Sequence, residues 1–431
     1  MQTAVILAGG KGTRLSKIRM DIPKPMMPVL DKPILQYQIE LLVEHGFKKV
    51  WLVVGHLHEQ IQEYFQDGAQ FGISIKYYIE DTPLGTVGGL KAIENELKEP
   101  FLVLYGDVMI NMDLKKLIRF HQSKHADATL VVHPNDHPYD SDLLDINEKE
   151  QVVAFYPKPH PEGLRYRNLV NAAAYIFDPV VLSKLQSGIK ADFGRDIFPW
   201  LYKELNVFAY NTPEYLKDMG TPDRLAKVEQ AITSGKVAKR NLKNLQRCIF
   251  LDRDGVINID SDLIHRAEDF ELYPYAGDSI RKINKMGFLA VVVTNQSVLA
   301  RGKCTVEDLD DIHKKMETEL GHQGAFIEAI YYCPHHPDGG FPEEVSELKI
   351  DCECRKPKPG MLLDAAKRFN IDLSSSYLIG DSPRDIEAGL NAGCTTIRVK
   401  TGHGLRPSTV EPDHYVQDLS DAVTLRQTLE N

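Results

Sequence analysis

Hydrophobic residues along the chain cluster in short runs. TAVILAG, KKVWLVVG, PFLVLYGD and ATLVVHP are each long enough for a buried strand and too short for a buried helix. Between such runs, ILQYQIELLVEHG and LGTVGGLKAIENEL carry apolar residues at helical spacing. That alternation predicts βα units on a mostly parallel sheet flanked by helices. A polar, basic stretch, TSGKVAKRNLKNLQR, interrupts the rhythm after a helix expected from Pro222 to Ile232. The pattern then restarts with CIFLDRDG, FLAVVVTNQ, SSYLIGDS and CTTIRVK, each an apolar strand running into a polar residue or glycine. No internal sequence repeat is found. The expectation is two different α/β domains, residues 1–232 and 247–431, joined by a linker at 233–246. Chemistry is expected beyond the carboxyl ends of the strands.

A chain of 431 residues can bury two separate cores, and its 43% hydrophobic and 26% charged residues, without a block of like charge, suit folded globular domains. The formal net charge of -10 argues against nucleic acid or an anionic membrane surface as the main partner. Phosphorylated small molecules remain open, as does a homo-oligomer. The first residues run from a short apolar stretch into glycines without the flanks of a signal peptide, and no segment is apolar enough to span a membrane. A cytoplasmic location is the expectation. Cys248, Cys304, Cys333, Cys352, Cys354 and Cys394 all lie in the second half, which fits a metal site better than a disulfide framework.

In LAGGKGTRL, Gly9, Gly10 and Gly12 follow directly on a strand, leaving backbone amides free to approach a triphosphate, with Lys11 and Arg14 beside them. Thr13 belongs to the same loop. In DIPKPMMPV, Lys24 stands between two prolines, a rigid mount for a cation. Together GGKGTRL and PKPMMPV resemble the signature of the sugar-1-phosphate nucleotidyltransferase family. The resemblance implies a glycine loop for the nucleotide, Arg14 and Lys24 on the phosphates, and Asp107 and Asp218 as ligands of Mg2+. A divalent cation held by few carboxylates and substrate phosphates suits in-line attack on phosphorus. Gly85 and Gly88 in DTPLGTVGGL and Asn171 in VNAAAYIFD resemble the family's base and sugar contacts, and a purely structural role is as well supported. Where the family often has glutamate before the lysine of a sugar-site motif, this chain has Pro157 before Lys158. Lys158 is expected to reach the sugar phosphate, and the usual carboxylate is missing.

The strand CIFLD ends in DRDG, and Asp252 and Asp254, two apart, share a face only in extended chain. One carboxylate can attack phosphorus while the other protonates the leaving oxygen. Thr294 in VVVTNQS ends a second strand, Arg355 and Lys356 follow in CRKPKPG, and Asp381 in LIGDSPRD ends a third strand. This order resembles the haloacid dehalogenase-like phosphatase superfamily. The resemblance implies Asp252 as nucleophile, Asp254 as general acid and base, and Thr294, Arg355 and Lys356 on the phosphoryl group. It also implies Asp252, Asp381 and the main chain of Asp254 around Mg2+, with Asp385 in support or merely an exposed helix acid. Cys333 and His335 in CPHHP and Cys352 and Cys354 in CEC have the spacing of a structural Zn2+ site, with His336 the competing ligand.

FLDRDGVIN, CPHHP, CECRKPKPGM and GDSPRDIEAG resemble heptose-bisphosphate 7-phosphatases and the related histidinol-phosphate phosphatases. A fused nucleotidyltransferase suits a heptose pathway. The expectation is therefore two ordered steps on heptose phosphates, with GTP favoured over ATP, CTP and UTP. The alternatives are a mannose-1-phosphate type head with a histidinol-phosphate type tail, or one half kept only to bind sugar phosphates.

Overall fold

Alternate residues of single strands enter different cores, which is why the apolar runs read as continuous. In the computed structural model, which describes residues 1–10, 21–340 and 342–429, the strand Thr3–Ala8 sends Ala4, Ile6 and Ala8 to one side and Val5 to the other. Phe101–Tyr105 likewise divides Leu102 and Leu104 from Phe101 and Val103. Strands buried on both faces belong in the middle of a layered α/β domain.

The chain divides into two units. The first comprises Met1–His133, Ser141–His160 and Leu169–Asn241. Its nine-stranded sheet has a parallel half, Phe101–Tyr105, Thr3–Ala8, Lys49–Val54 and Ser74–Ile79 in spatial order. The other half is mixed, because Val170–Phe177 runs antiparallel to Phe101–Tyr105, Ala128–His133 and Leu143–Ile146. The parallel rule inferred from the βα rhythm thus holds for only part of this sheet.

LGTVGGLKAIENEL makes a shorter helix than its periodicity suggests, Gly88–Ala92 followed by a 3-10 turn at Glu94–Glu96. The glycines are needed for packing there: a Cβ on Gly88 would come within 2.1 Å of Leu84, and on Gly89 within 2.3 Å of Val53.

The second unit comprises Pro134–Asp140, Pro161–Asn168 and Leu242–Asn431. Its six-stranded sheet is parallel throughout and centres on Cys248–Leu251, between Leu289–Asn295 and Tyr377–Gly380. The stretch expected as a linker is shared between the units. Val237, on the short helix Lys236–Lys239, packs with Val29, Ile34 and Met109, whereas Leu242 packs with Cys248 and Phe250. Isolated apolar residues in a basic segment are enough to anchor it on both sides. Among the described residues, no helix is long and apolar enough to cross a membrane.

Candidate functional sites

Gly9 and Gly10, Lys24, Gly85 and Asp107 line one cavity of about 290 Å³ in the first unit. The expected nucleotide contacts Lys11, Gly12, Thr13 and Arg14 lie outside the described residues. Lys24 forms an ion pair with Asp107. Asp218 reaches the same place on a separate two-stranded ribbon: Tyr215–Asp218 runs antiparallel to Val108–Asn111, and the amide of Met219 donates to the carbonyl of Asp107 at 3.0 Å. Burial pushes the Asp218 carboxyl up, but the Arg224 guanidinium paired with it prevails and holds it below the usual range. Arg224 was not singled out from the sequence. Its signal is the helix start TPDR, where Thr221 accepts from the Arg224 amide at 3.3 Å and fixes that first turn.

Glu80 is the second residue that pattern reading passes over. It follows the strand Ser74–Ile79 and lines the cavity. Two glycines make room for it, since a Cβ on Gly9 would lie 2.5 Å from Glu80 Oε2 and one on Gly89 3.2 Å from Oε1. Burial raises its pKa, opposed by hydrogen bonds from the backbone at Leu84 and Gly89. Gly85 has φ +75°, and a Cβ there would meet the Ala191 carbonyl oxygen at 2.2 Å, so only glycine fits. Gly88 is required by packing against Leu84. Asn171 and Lys158 meet at Asp142: the Lys158 amide donates to Asp142 Oδ1 at 3.1 Å and the Asn171 amide to the Asp142 carbonyl at 2.9 Å.

In the second unit, three strand ends converge. Asp252 follows Cys248–Leu251, Thr294 closes Leu289–Asn295, and Asp381 follows Tyr377–Gly380. Lys356 Nζ, only 2% exposed, lies 2.9 Å from Asp252 Oδ1 and 2.5 Å from Asp385 Oδ1, and donates to the Val293 carbonyl at 2.7 Å. Asn295 and Lys356 exchange two hydrogen bonds, 3.0 and 3.1 Å, that seat the lysine's backbone. Asp385 is wholly buried and caps its own helix through Ser382, so it is not an exposed helix acid.

Carboxylate oxygens of Asp252, Asp381 and Asp385 lie within 4.8 Å of one another. Burial first, then the neighbouring Asp385, pushes Asp252 up to about 7 and Asp381 to about 8. Asp385 is held low because Lys356 outweighs its burial. Three buried carboxylates against one lysine are a donor set that fits a hard divalent cation. Asp254 lines the same cavity and its side chain is held by other groups: Arg253 grips it at 2.9 and 3.0 Å, Asn258 donates at 3.0 Å and Gln296 at 2.9 Å. Burial opposes its charge, yet Arg253 keeps its pKa below the usual value. The carboxylate cluster thus takes in Asp385 and not the Asp254 side chain. Arg253 and Asn258 lie within the DRDGVIN motif and were passed over for its acids, whereas Gln296 is brought to Asp254 only by the tertiary fold. Arg355 lines the same cavity as Asp252 and Thr294, and its guanidinium donates to the His335 carbonyl at 2.8 Å.

Cys333, His335, Cys352 and Cys354 come together as their spacing suggests. Sγ atoms are 3.5 Å apart for Cys333 and Cys352 and 3.3 Å for Cys352 and Cys354, and His335 Nδ1 is 3.4 Å from Cys354 Sγ. Metal–sulfur bonds of about 2.3 Å in a tetrahedron place sulfurs about 3.7 Å apart, so the group fits Zn2+. His336 is occupied otherwise, its Nδ1 accepting from the Asp338 amide at 3.2 Å. All six cysteines are free thiols.

Comparison with known proteins follows the same division. Residues 3–235 match the Nucleotidyl transferase family, and residues 353–422 match the HAD-hydrolase-like family. A UTP--glucose-1-phosphate uridylyltransferase of Synechocystis is 36% identical over 56% of this chain, which spans 65% of that relative's length. A D-glycero-beta-D-manno-heptose-1,7-bisphosphate 7-phosphatase of Yersinia pestis is 43% identical over 38% of this chain and 84% of its own. Among solved structures, HddC from Yersinia pseudotuberculosis complexed with GMP-PN is 27% identical over 54% of this chain and 100% of its own, with a TM-score of 0.47. The chain thus belongs to the nucleotidyl transferase family through its N-terminal part and, through its C-terminal part, to the HAD-like family of the heptose-bisphosphate phosphatases.

Proposed function

We propose that the chain is a bifunctional enzyme of nucleotide-heptose synthesis. Residues 247–431 would remove the 7-phosphate of D-glycero-D-manno-heptose 1,7-bisphosphate, and residues 1–232 would transfer GMP from GTP to the heptose 1-phosphate left behind. The observation that carries this reading is the buried Asp252, Lys356 and Asp385 group, in a chain 43% identical to a heptose-bisphosphate phosphatase and fused to a nucleotidyl transferase domain.

In the first step Asp252 attacks phosphorus and the bond to the sugar's C7 oxygen breaks, that oxygen taking a proton from Asp254. Water then attacks the phosphoaspartate, giving its proton back to Asp254, and phosphate leaves. Lys356 and Thr294 hold phosphoryl oxygens, and Arg355 extends the positive charge. Asp254 must let go of Arg253 and Gln296 as substrate enters, because the clasp favours its ionised form. Asp252, Asp381, Asp385 and the Asp254 carbonyl would hold Mg2+, which when bound neutralises charge on the phosphoryl group. Cys333, His335, Cys352 and Cys354 would hold structural Zn2+ and fix the loop that ends in Arg355 and Lys356.

In the second step an oxygen of the sugar 1-phosphate attacks the α-phosphorus of the triphosphate and pyrophosphate departs. Lys24 and Arg14 balance charge on the phosphates, the loop Gly9 to Thr13 and Gly85 hold the nucleotide, and Lys158 and Asn171 meet the sugar phosphate. Asp107 and Asp218 would hold the Mg2+ that offsets the charge of the triphosphate. Glu80 supports GTP: guanine alone among the four bases presents two adjacent N–H donors, N1 and N2, which a carboxylate can accept together.

The test is to incubate the full chain with heptose bisphosphate and each of the four nucleoside triphosphates, following phosphate and nucleotide-sugar. A GDP-sugar is expected, and Glu80→Gln should lower the preference for GTP over UTP by about tenfold or more. Equal use of all four triphosphates by the unaltered protein would refute the base assignment, and failure to release phosphate would refute the sugar.

A further inference from the structure

The helix Val306–His322 buries polar residues as well as apolar ones. His313 and Glu317 are buried, and with Asp310 they fall at helical spacing on one side of the helix. Buried groups of this kind need partners. Here the partners come from two directions.

Towards the phosphatase cavity, His313 meets the clasp around Asp254. Arg253, wholly buried, directs Nε and Nη2 to Asp254 and Gln296, and its Nη1 lies 3.4 Å from His313 Nε2. A guanidinium can only donate, so the imidazole nitrogen accepts. Burial first, then the neighbouring Arg253 and Arg167, hold His313 well below the usual imidazole range and keep it neutral. A neutral acceptor steadies the guanidinium without competing for the charge that Asp254 uses.

From the other direction the helix is held by Pro161–Asn168, which belongs to the second unit although its sequence neighbours are strands of the first sheet. Arg167 pairs with Glu317 and, at 3.1 Å, with Asp310, about one turn to either side of His313. The Tyr166 amide donates to Thr318 Oγ1 at 2.9 Å. One helix face thus links Arg167 to His313, and His313 to the Arg253 that grips Asp254.

The proposed phosphatase reaction requires Asp254 to leave this clasp, protonate the C7 oxygen and later return with the proton taken from water. While Asp254 is away, Arg253 loses its carboxylate partner, and His313 and Gln296 are the acceptors that remain among the described residues. We infer that His313 and Arg167 are positioning residues of the phosphatase reaction, holding Arg253 in place while Asp254 moves between clasp and substrate. This rests on reading the second unit as a phosphatase.

The experiment follows single turnovers of the full chain with enzyme in excess, measuring heptose 1-phosphate formed from the bisphosphate and nitrophenolate formed from p-nitrophenyl phosphate. Nitrophenolate departs without taking a proton, so its release does not depend on how Asp254 is placed. His313→Leu, which fills the space and removes the acceptor, should slow heptose 1-phosphate formation about tenfold and nitrophenolate release less than about twofold. His313→Gln keeps an acceptor and should restore most of the rate. Arg167→Ala should show the same split with a loss of about threefold, and serves if His313→Leu does not fold. Equal losses on the two substrates, wild-type rates in both variants, or a His313→Gln rate no better than that of His313→Leu would overturn the inference while leaving the phosphatase reading intact. No heptose 1-phosphate from the unaltered chain would overturn both.

Discussion

The two candidate sites differ in how deeply their paired charges are buried. In the second unit the Lys356 side chain is 2% exposed and that of Asp385 1%, and the one lysine pairs with both Asp252 and Asp385. In the first unit the Lys24 and Asp107 side chains are 18% and 27% exposed, and Asp218 sits on a two-stranded ribbon outside the main sheet. The difference follows from what each reading requires. A protein carboxylate that itself attacks phosphorus must be desolvated and aligned beforehand. A transfer between two substrates needs only a frame for their charges, and the substrates with their metal bring most of the field. The all-parallel sheet supplies the first by converging strand ends; the mixed sheet supplies the second by adding a ribbon.

Removing the proposed nucleophile breaks the comparison most sharply. Asp252→Asn should reduce phosphate release from heptose bisphosphate by about a thousandfold or more, because an amide neither attacks nor forms the acyl phosphate. Pyrophosphate release from added heptose 1-phosphate should be unchanged. Residual phosphate release near the wild-type rate would remove Asp252 from the mechanism.

In the more open site a single carboxylate should matter less. Asp107→Ala is expected to lower nucleotidyl transfer by about a hundredfold, since Asp218 and the substrate phosphates still bind the cation. Raising Mg2+ should recover part of that loss in Asp107→Ala and none of the loss in Asp252→Asn. If neither variant responds to Mg2+, the contrast between a metal-dependent frame and a protein nucleophile is wrong.

How far the sequence reveals these sites depends on how local their signals are. Asp252, Thr294 and Asp381 were legible because each follows or ends an apolar run, and a parallel sheet puts such ends side by side, whereas Lys356 was legible only as part of the CRKPKPG motif. The Cys333, His335, Cys352 and Cys354 group was legible from spacing, and the structure brings His335 rather than His336 to the three sulfurs. Arg253 was hidden in plain sight: the motif draws the eye to its acidic neighbours, whereas its buried guanidinium grips Asp254. Glu80 and Asp142 could not be found from pattern, since their meaning comes from glycines and strands distant in sequence, and Arg224 had only the helix start TPDR to mark it. The mixed half of the first sheet was missed for a related reason, as hydrophobic alternation reports burial and says nothing of strand direction.

A smaller effect is expected at the loop before Arg355. Cys352→Ser should lower bound zinc by about one equivalent and reduce the thermal midpoint of the second unit, because metal binding and folding of such a loop are coupled. Elemental analysis and calorimetry on the full chain measure both. Equal zinc in variant and wild type would exclude Cys352 as a ligand.

The smallest effect tests what the second unit consists of, since it includes Pro161–Asn168 from between two strands of the first sheet. Within that unit Arg167 pairs with Glu317, which is 5% exposed, and with Asp310 at 3.1 Å. Burial raises the pKa of Glu317, and Arg167 works against that rise. Arg167→Ala leaves this carboxylate uncompensated and should cost about 2 kcal/mol, below the full loss for a buried pair because the Arg167 side chain is a quarter exposed. A raised carboxyl pKa means that the folded state binds its proton more tightly than the unfolded state. The deficit should therefore be greatest above the folded pKa of Glu317 and shrink as pH falls through it. Glu317→Gln in the Arg167→Ala background should recover stability at neutral pH and remove the pH dependence. Arg165→Ala is the control, because its partners Asp311 and Glu268 are 46% and 71% exposed and a pair of that kind contributes only about 0.5 kcal/mol. Urea unfolding of the three variants would separate the cases: equal losses for Arg165→Ala and Arg167→Ala would mean that Glu317 is not buried in solution, and that Pro161–Asn168 is not an integral part of the phosphatase unit.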